Sequence, residues 1–160
     1  DNDIRLRCIG RLDDLPARAR AAVRRTEEIT AKNRGMLLRL ALSYGGRAEI
    51  SDAVRALAVD VAEGRLDPED IQEETLRAYL YDPETPDPDL VIRTAGEMRV
   101  SNFLLWQISY SEMYVAPVCW PEFREPQLME ALRDFARRRR KFGGILEEDS
   151  EAEDTTRDTA

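Results

Sequence analysis

The chain has 160 residues, 42% hydrophobic, 35% charged and 7% aromatic, enough for one compact domain with a core and too little for two. It has no histidine, which excludes Ser-His-Asp and Cys-His nucleophile systems and histidine metal sites. Most of the net charge of −8 lies at one end: residues 147–160 hold seven acids and one base, against 25 acids and 23 bases over the first 146 residues.

The chain enters at Asp1-Asn2-Asp3 without a methionine and runs straight into the strand-like Ile4-Arg5-Leu6-Arg7-Cys8-Ile9-Gly10, as if cut from something longer. Leu12 to Lys32 reads as a helix, with Asp13 or Asp14 as cap, Pro16 in the first turn and Leu15, Ala19, Ala22, Val23 and Ile29 at helical spacing. Met36 to Leu42 is a nearly continuous apolar run, the pattern of a strand buried on both faces. After Ser43-Tyr44-Gly45-Gly46-Arg47, a second helix carries Ile50, Ala53, Val54, Leu57, Ala58 and Val61 on one face and ends at Gly64. Asp67-Pro68-Glu69-Asp70 opens a shorter third helix, and Pro83, Pro86 and Pro88 enforce an extended link. Asp89 to Arg93 is the next buried strand; Ser101 is placed to cap a helix through Phe103, Leu104 and Trp106. Tyr114-Val115 and Val118 to Trp120 are extended, and Pro126 begins a last helix to Arg140. This alternation predicts an α/β fold with an open, mostly parallel sheet flanked by helices, whose ligands bind at the carboxyl ends of the strands. Residues 1–146 form the domain; 147–160 form an acidic, solubilising tail without apolar periodicity, expected to be disordered.

Two strand ends carry candidate chemistry. Gly45-Gly46-Arg47 opens directly into a helix, so its backbone N–H groups either cradle an anion or merely form a tight turn. Arg93 to Ser101 brings Arg93, Arg99, a glycine and a serine into nine residues. Arginine forks match phosphate oxygens, so this reads as a diphosphate clamp, or else Arg93 pairs with a structural carboxylate such as Glu97. Glu112, between aromatics, is a candidate oxygen ligand for Mg²⁺ or an ordinary surface glutamate. The basic run Arg137 to Lys141 sits at a helix end, with no aromatic platform for stacking bases, so no nucleic-acid partner is expected. Some of these bases are placed instead to reach a phosphate ligand or an anionic membrane surface. Cys8 and Cys119 sit in apolar runs, read as buried reduced thiols of a cytoplasmic protein. No uncharged run approaches the roughly 20 residues that span a bilayer, and no signal-peptide pattern is present.

Together these segments resemble the cis-prenyltransferases, the undecaprenyl diphosphate synthase family. Leu42 to Ile50 is similar to the family's tyrosine-glycine-glycine-arginine segment, and Asp87 to Gln107 matches its longest signature nearly residue for residue. Tyr110 to Tyr114, Trp120 to Phe123 and Arg139 to Gly144 continue the likeness, which runs from about Ile4 to Ile145. The resemblance implies cis-condensation of isopentenyl diphosphate onto an allylic diphosphate such as farnesyl diphosphate. The product would be a polyprenyl diphosphate such as undecaprenyl diphosphate, a cell-wall lipid carrier. It implies that Arg93, Arg99 and Ser101 bind the isopentenyl diphosphate, with Gly45, Gly46, Arg47, Lys141 and Gly143 as further substrate contacts, and that Glu112 helps place Mg²⁺ as cofactor. It also implies a homodimer, with Phe103 to Tyr114 as contact, and peripheral association with the membrane surface. Met36, Leu38 and Leu40 either line a tunnel for the growing chain or belong to ordinary core.

Some positions depart from the family pattern. Ser43 stands for asparagine or alanine, Met98 for histidine, and Lys141 for an arginine, which keeps the charge and loses the fork. The aspartate-glycine-asparagine-glycine-arginine-tryptophan loop, whose aspartate anchors Mg²⁺ and the allylic diphosphate in the family, is not in this sequence. The expectation is therefore a C-terminal portion of such an enzyme, inactive alone. The alternative is a non-catalytic subunit of the same fold that supports a catalytic chain.

Overall fold

The computed structural model of the chain describes residues 2–138. Eight main elements follow in order: β1 (Arg5–Ile9), α1 (Ala17–Thr30), β2 (Leu37–Ala41), α2 (Gly46–Ala62), α3 (Glu73–Ala78), β3 (Leu90–Arg93), β4 (Glu112–Val115) and α4 (Glu125–Arg137). Every strand pairing among the described residues is parallel, as connections long enough to cross back over the sheet allow. β1 pairs with β2 in the register Arg5 to Leu37 through Ile9 to Ala41, and β3 with β4 from Leu90–Glu112 to Arg93–Val115. The fold is α/β, with parallel sheet flanked by helices, and among the described residues it falls into two two-stranded sheets.

The outer edge of β1 is closed by the helix that follows it. The Leu6 and Cys8 amides donate to Thr30 Oγ1 at 3.0 Å and Glu27 Oε1 at 2.8 Å, both on α1. Side-chain acceptors on a covering helix thus replace a strand there. Among the described residues β2 pairs with β1 alone and β3 with β4 alone.

Several expected elements take a different form. Pro16 is the N-cap of α1 rather than part of its first turn, and Leu12–Asp14 is a separate 3₁₀ turn. The third helix is likewise split into a 3₁₀ turn at Pro68–Asp70 and α3. The apolar run of β2 is not buried on both faces: Leu38 and Leu40 are each 40% exposed, because no strand among the described residues lies beyond β2. Cys119 is exposed and Cys8 half-buried, so neither is a fully buried thiol. No helix starts at Ser101. Ser101, Asn102 and Leu104 have φ of 49°, 63° and 44°, left-handed values that no α-helix accommodates. The 18-residue crossover 94–111, between β3 and β4, is therefore a chain of turns.

Among the described residues full burial is confined to a few side chains, including Ala53 and Leu57 of α2, Leu80, Ala116 and Ala131. The largest is a carboxylate: Glu49, in the first turn of α2, is 1% exposed. It accepts from the Tyr44 hydroxyl, from the Tyr81 amide at 3.1 Å and from Gln107 Nε2 at 3.1 Å. One buried acceptor thus joins α2 to the segment before the proline link and to the crossover, which is how a carboxylate without a cation partner is tolerated.

Candidate functional site

Arg93 closes β3 and points its guanidinium toward the turn that follows. That turn is pinned by main-chain bonds: the Ala95 amide donates to Val118 O at 2.8 Å, and the Gly96 amide to Ala116 O at 3.0 Å. Ala95 and Gly96 both hold φ near 65°, at 63° and 65°, so the chain reverses sharply and returns Glu97 against Arg93. One Glu97 oxygen pairs with Arg93 Nη2 and the other accepts from Arg99 Nη2 at 2.7 Å. These bonds, that to Arg93 foremost, hold the Glu97 carboxyl below its usual range. Arg93 Nε is buried and has no partner among the described residues. Both readings of the sequence meet here: Arg93 and Arg99 do converge, and what they grip is Glu97.

Behind the two arginines lies a cavity of about 340 Å³. Leu90, Ile92, Val100, Phe103 and Leu104 line it, with Arg93 and Arg99 contributing its charge. A second cavity, of about 470 Å³, shares Pro88, Phe103 and Leu104 with the first and reaches Leu40, Ala41 and Leu42 at the end of β2. Of the three expected tunnel residues, Leu40 lines this cavity; Met36 and Leu38 do not, and Met36 is 60% exposed.

The glycine pair serves the site differently from an anion cradle. The Gly46 amide donates to Asn102 O at 2.7 Å and the Arg47 amide to Asn102 Oδ1 at 2.9 Å. The first N–H groups of α2 are thus taken by the crossover, with Asn102 acting as an N-terminal cap supplied from another part of the chain. A Cβ on Gly46 would sit 2.9 Å from Leu105 Cγ and 3.0 Å from its amide nitrogen, so glycine lets the crossover lie directly on the helix start. The Arg47 side chain is exposed. Ser101 adjoins Asn102 in this cradle, in a left-handed conformation rather than as a helix cap.

Glu112 begins β4, and its Oε2 accepts from Arg138 Nη1 at 2.7 Å. Arg138 Nη1 also donates to Met113 O at 3.0 Å, and Nη2 pairs with Asp134. Among the described residues no three histidine, cysteine, aspartate or glutamate side chains converge as a metal would need. The described residues therefore do not by themselves fit Mg²⁺, since Glu112 offers one ligand and is committed to a guanidinium. Lys141 and Gly143, like residues 147–160, lie outside the described residues.

Sequence reasoning missed Asn102 and Glu49 as organisers of the site. Asn102 had a signal, an amide side chain within the clamp segment; Glu49 had none, since a glutamate in a first helical turn ordinarily serves the dipole at the surface.

The pairing, the crossover and the arginine-lined cavity define an α/β protein of the cis-prenyltransferase fold. The undecaprenyl diphosphate synthase family, Prenyltransf, matches residues 1–143, and the chain belongs to it. It is 51% identical over 140 residues to the tritrans,polycis-undecaprenyl-diphosphate synthase (geranylgeranyl-diphosphate specific) of Methanopyrus kandleri, covering 88% of this chain and 52% of that protein. To the isoprenyl transferase of Chlorobaculum tepidum it is 47% identical over 148 residues, covering 92% of this chain and 56% of the relative. The chain thus spans about half the length of the curated relatives it matches. Among solved structures, lavandulyl diphosphate synthase from Lavandula x intermedia, in complex with dimethylallyl diphosphate, superposes with a TM-score of 0.86 at 41% identity. That match covers 89% of this chain and 61% of the other. No helix among the described residues is long and apolar enough to cross a membrane.

Proposed function

We propose that this chain supplies the isopentenyl diphosphate site of a cis-prenyltransferase that makes a polyprenyl diphosphate. The observation that carries the reading is an apolar cavity of about 340 Å³ lined by both Arg93 and Arg99. A small prenyl diphosphate has the same two parts, a branched hydrocarbon and a dianionic or more highly charged head. The hydrocarbon suits Leu90, Ile92, Val100 and Phe103; the head suits two guanidinium forks, to which this reading adds the Ser101 hydroxyl.

In the reaction, the isopentenyl double bond attacks C1 of the allylic diphosphate as the C1–O bond breaks. Pyrophosphate leaves with the bonding pair, and a proton is lost from C2 of the isopentenyl unit. The contribution of these residues is orientation: holding the head group fixes where the double bond points, which converts a random encounter into a positioned one. The larger neighbouring cavity, bordered by Leu40, Leu42 and Leu104, is the space this reading assigns to the growing hydrocarbon. Homodimerisation through Phe103 to Tyr114 belongs to the same proposal, as does a place at the membrane surface.

Titration calorimetry of the chain with isopentenyl diphosphate tests this. Arg93→Ala should weaken binding at least about tenfold, since it removes a charge-assisted pair. Unchanged affinity in that variant overturns the assignment. In the complete enzyme the same substitution should raise the KM for isopentenyl diphosphate or abolish turnover.

A further inference from the structure

We propose that Glu97 is an intramolecular competitor for the diphosphate, gripping the same two arginines and being displaced from both when a diphosphate binds. This rests on the reading of Arg93 and Arg99 as the diphosphate site. The geometry carries it in three parts. First, the Glu97 carboxylate is divided, with one oxygen on Arg93 Nη2 and the other on Arg99 Nη2. Neither guanidinium therefore receives the two-pronged pairing its fork is shaped for. Second, Arg93 Nε is buried without an acceptor among the described residues, so the present pairing leaves a donor of that fork unused. A diphosphate has oxygens enough to satisfy the Nε and Nη2 edge of Arg93 and to reach Arg99 as well. Third, the carboxylate and a phosphate oxygen cannot share one N–H direction, and their like charges repel. The weaker, divided acceptor gives way.

The backbone makes the exchange local. Ala95 and Gly96 are tied to Val118 and Ala116, which fixes the turn, while the Glu97 side chain is one-third exposed and has room to swing outward. The consequence is a site whose two arginines are half-neutralised and aligned by Glu97 and whose affinity is moderated by the cost of removing it. That cost also favours release, because Glu97 reclaims the arginines as a diphosphate departs.

The test is calorimetric titration of inorganic pyrophosphate, without metal, into the chain and into four variants. Glu97→Gln should tighten binding by about five- to tenfold, the equivalent of one or two partly exposed ion pairs. Glu97→Asp keeps the charge but is too short to span both arginines, and should tighten binding by about threefold. Arg93→Ala and Arg99→Ala should each weaken it. If Glu97→Gln binds as wild type or more weakly while the arginine variants lose affinity, Glu97 is not a competitor and the diphosphate reading stands. If Glu97→Gln tightens but Glu97→Asp does not, the effect is general charge and the competitor role is overturned. If neither arginine variant loses affinity, or no protein binds pyrophosphate, the diphosphate reading itself fails.

Discussion

At the scale of single residues, Glu49 and Arg138 do most to hold the site's surroundings. Glu49 is almost fully buried and takes three hydrogen bonds from Tyr44, Tyr81 and Gln107. Glu49→Ala strands those donors and should cost about 3 kcal/mol, read as a lower urea midpoint. An unchanged midpoint would show that water replaces the carboxylate. Arg138 ties Glu112 and Met113 of β4 to Asp134 of α4. Arg138→Ala should release that end of the helix, seen as faster amide exchange in the last turns of α4 with exchange in β3 unchanged. Arg93, Arg99 and Glu97 were legible in the sequence as a group, because they lie within seven residues around a glycine that favours a turn. Which of two acceptors the arginines hold was not legible, since that depends on where the turn aims Glu97.

At the scale of elements, α2 and the crossover 94–111 decide the site's shape together. The crossover supplies the cap for α2 through Asn102, and α2 supplies the flat glycine surface on which the crossover rests. Gly46→Ala would push a methyl group into Leu105 backbone and side chain, and should cost about 1–3 kcal/mol by overpacking. Asn102→Ala removes the side-chain cap, for about 1 kcal/mol. Both should also weaken pyrophosphate binding, because the crossover carries Arg99 and Ser101; a stability loss with unchanged binding would separate the cradle from the clamp. The strands and α2 were readable from apolar spacing, within a few residues at their ends. The crossover was not: serine followed by Phe103, Leu104 and Trp106 has the look of a capped helix. Only the competition for the α2 amides, together with left-handed turns at Ser101, Asn102 and Leu104, explains why the chain does something else.

At the scale of the whole molecule, polar ties connect regions far apart in sequence. Arg11, after β1, holds Asp52 of α2 with two bonds of 2.8 Å, and the Tyr81 hydroxyl donates to the same carboxylate at 2.7 Å. Arg11, then Tyr81, hold the Asp52 carboxyl well below the usual carboxylate range. A depressed folded-state value means the stabilisation is present above the ordinary carboxylate range and is lost as pH falls through and below it. Wild-type stability should therefore decline below about pH 4, and Asp52→Asn should flatten that decline while lowering stability at pH 7; parallel acid limbs in the two proteins would refute the link. Tyr44 works at the other extreme. Burial, then Glu49, raises its hydroxyl above the ordinary tyrosine value, so its contribution is full below about pH 10 and is lost as pH rises beyond.

The sequence by itself determined the α/β alternation and the parallel sheet expected with it, the helix faces, and the grouping of Arg93, Glu97 and Arg99 within seven residues. All of these rest on local spacing and on residue chemistry that does not change with context. The tertiary structure decided the rest. It assigned the α2 amides to Asn102 rather than to an anion, paired Glu112 with Arg138, set Glu97 between Arg93 and Arg99, and left Leu38 and Leu40 partly open. Each of these is a choice among several acceptors or several neighbours within reach. Such choices are settled by distance in space, where separations of 26 residues for Glu112 and Arg138 or 55 for Arg47 and Asn102 count for nothing.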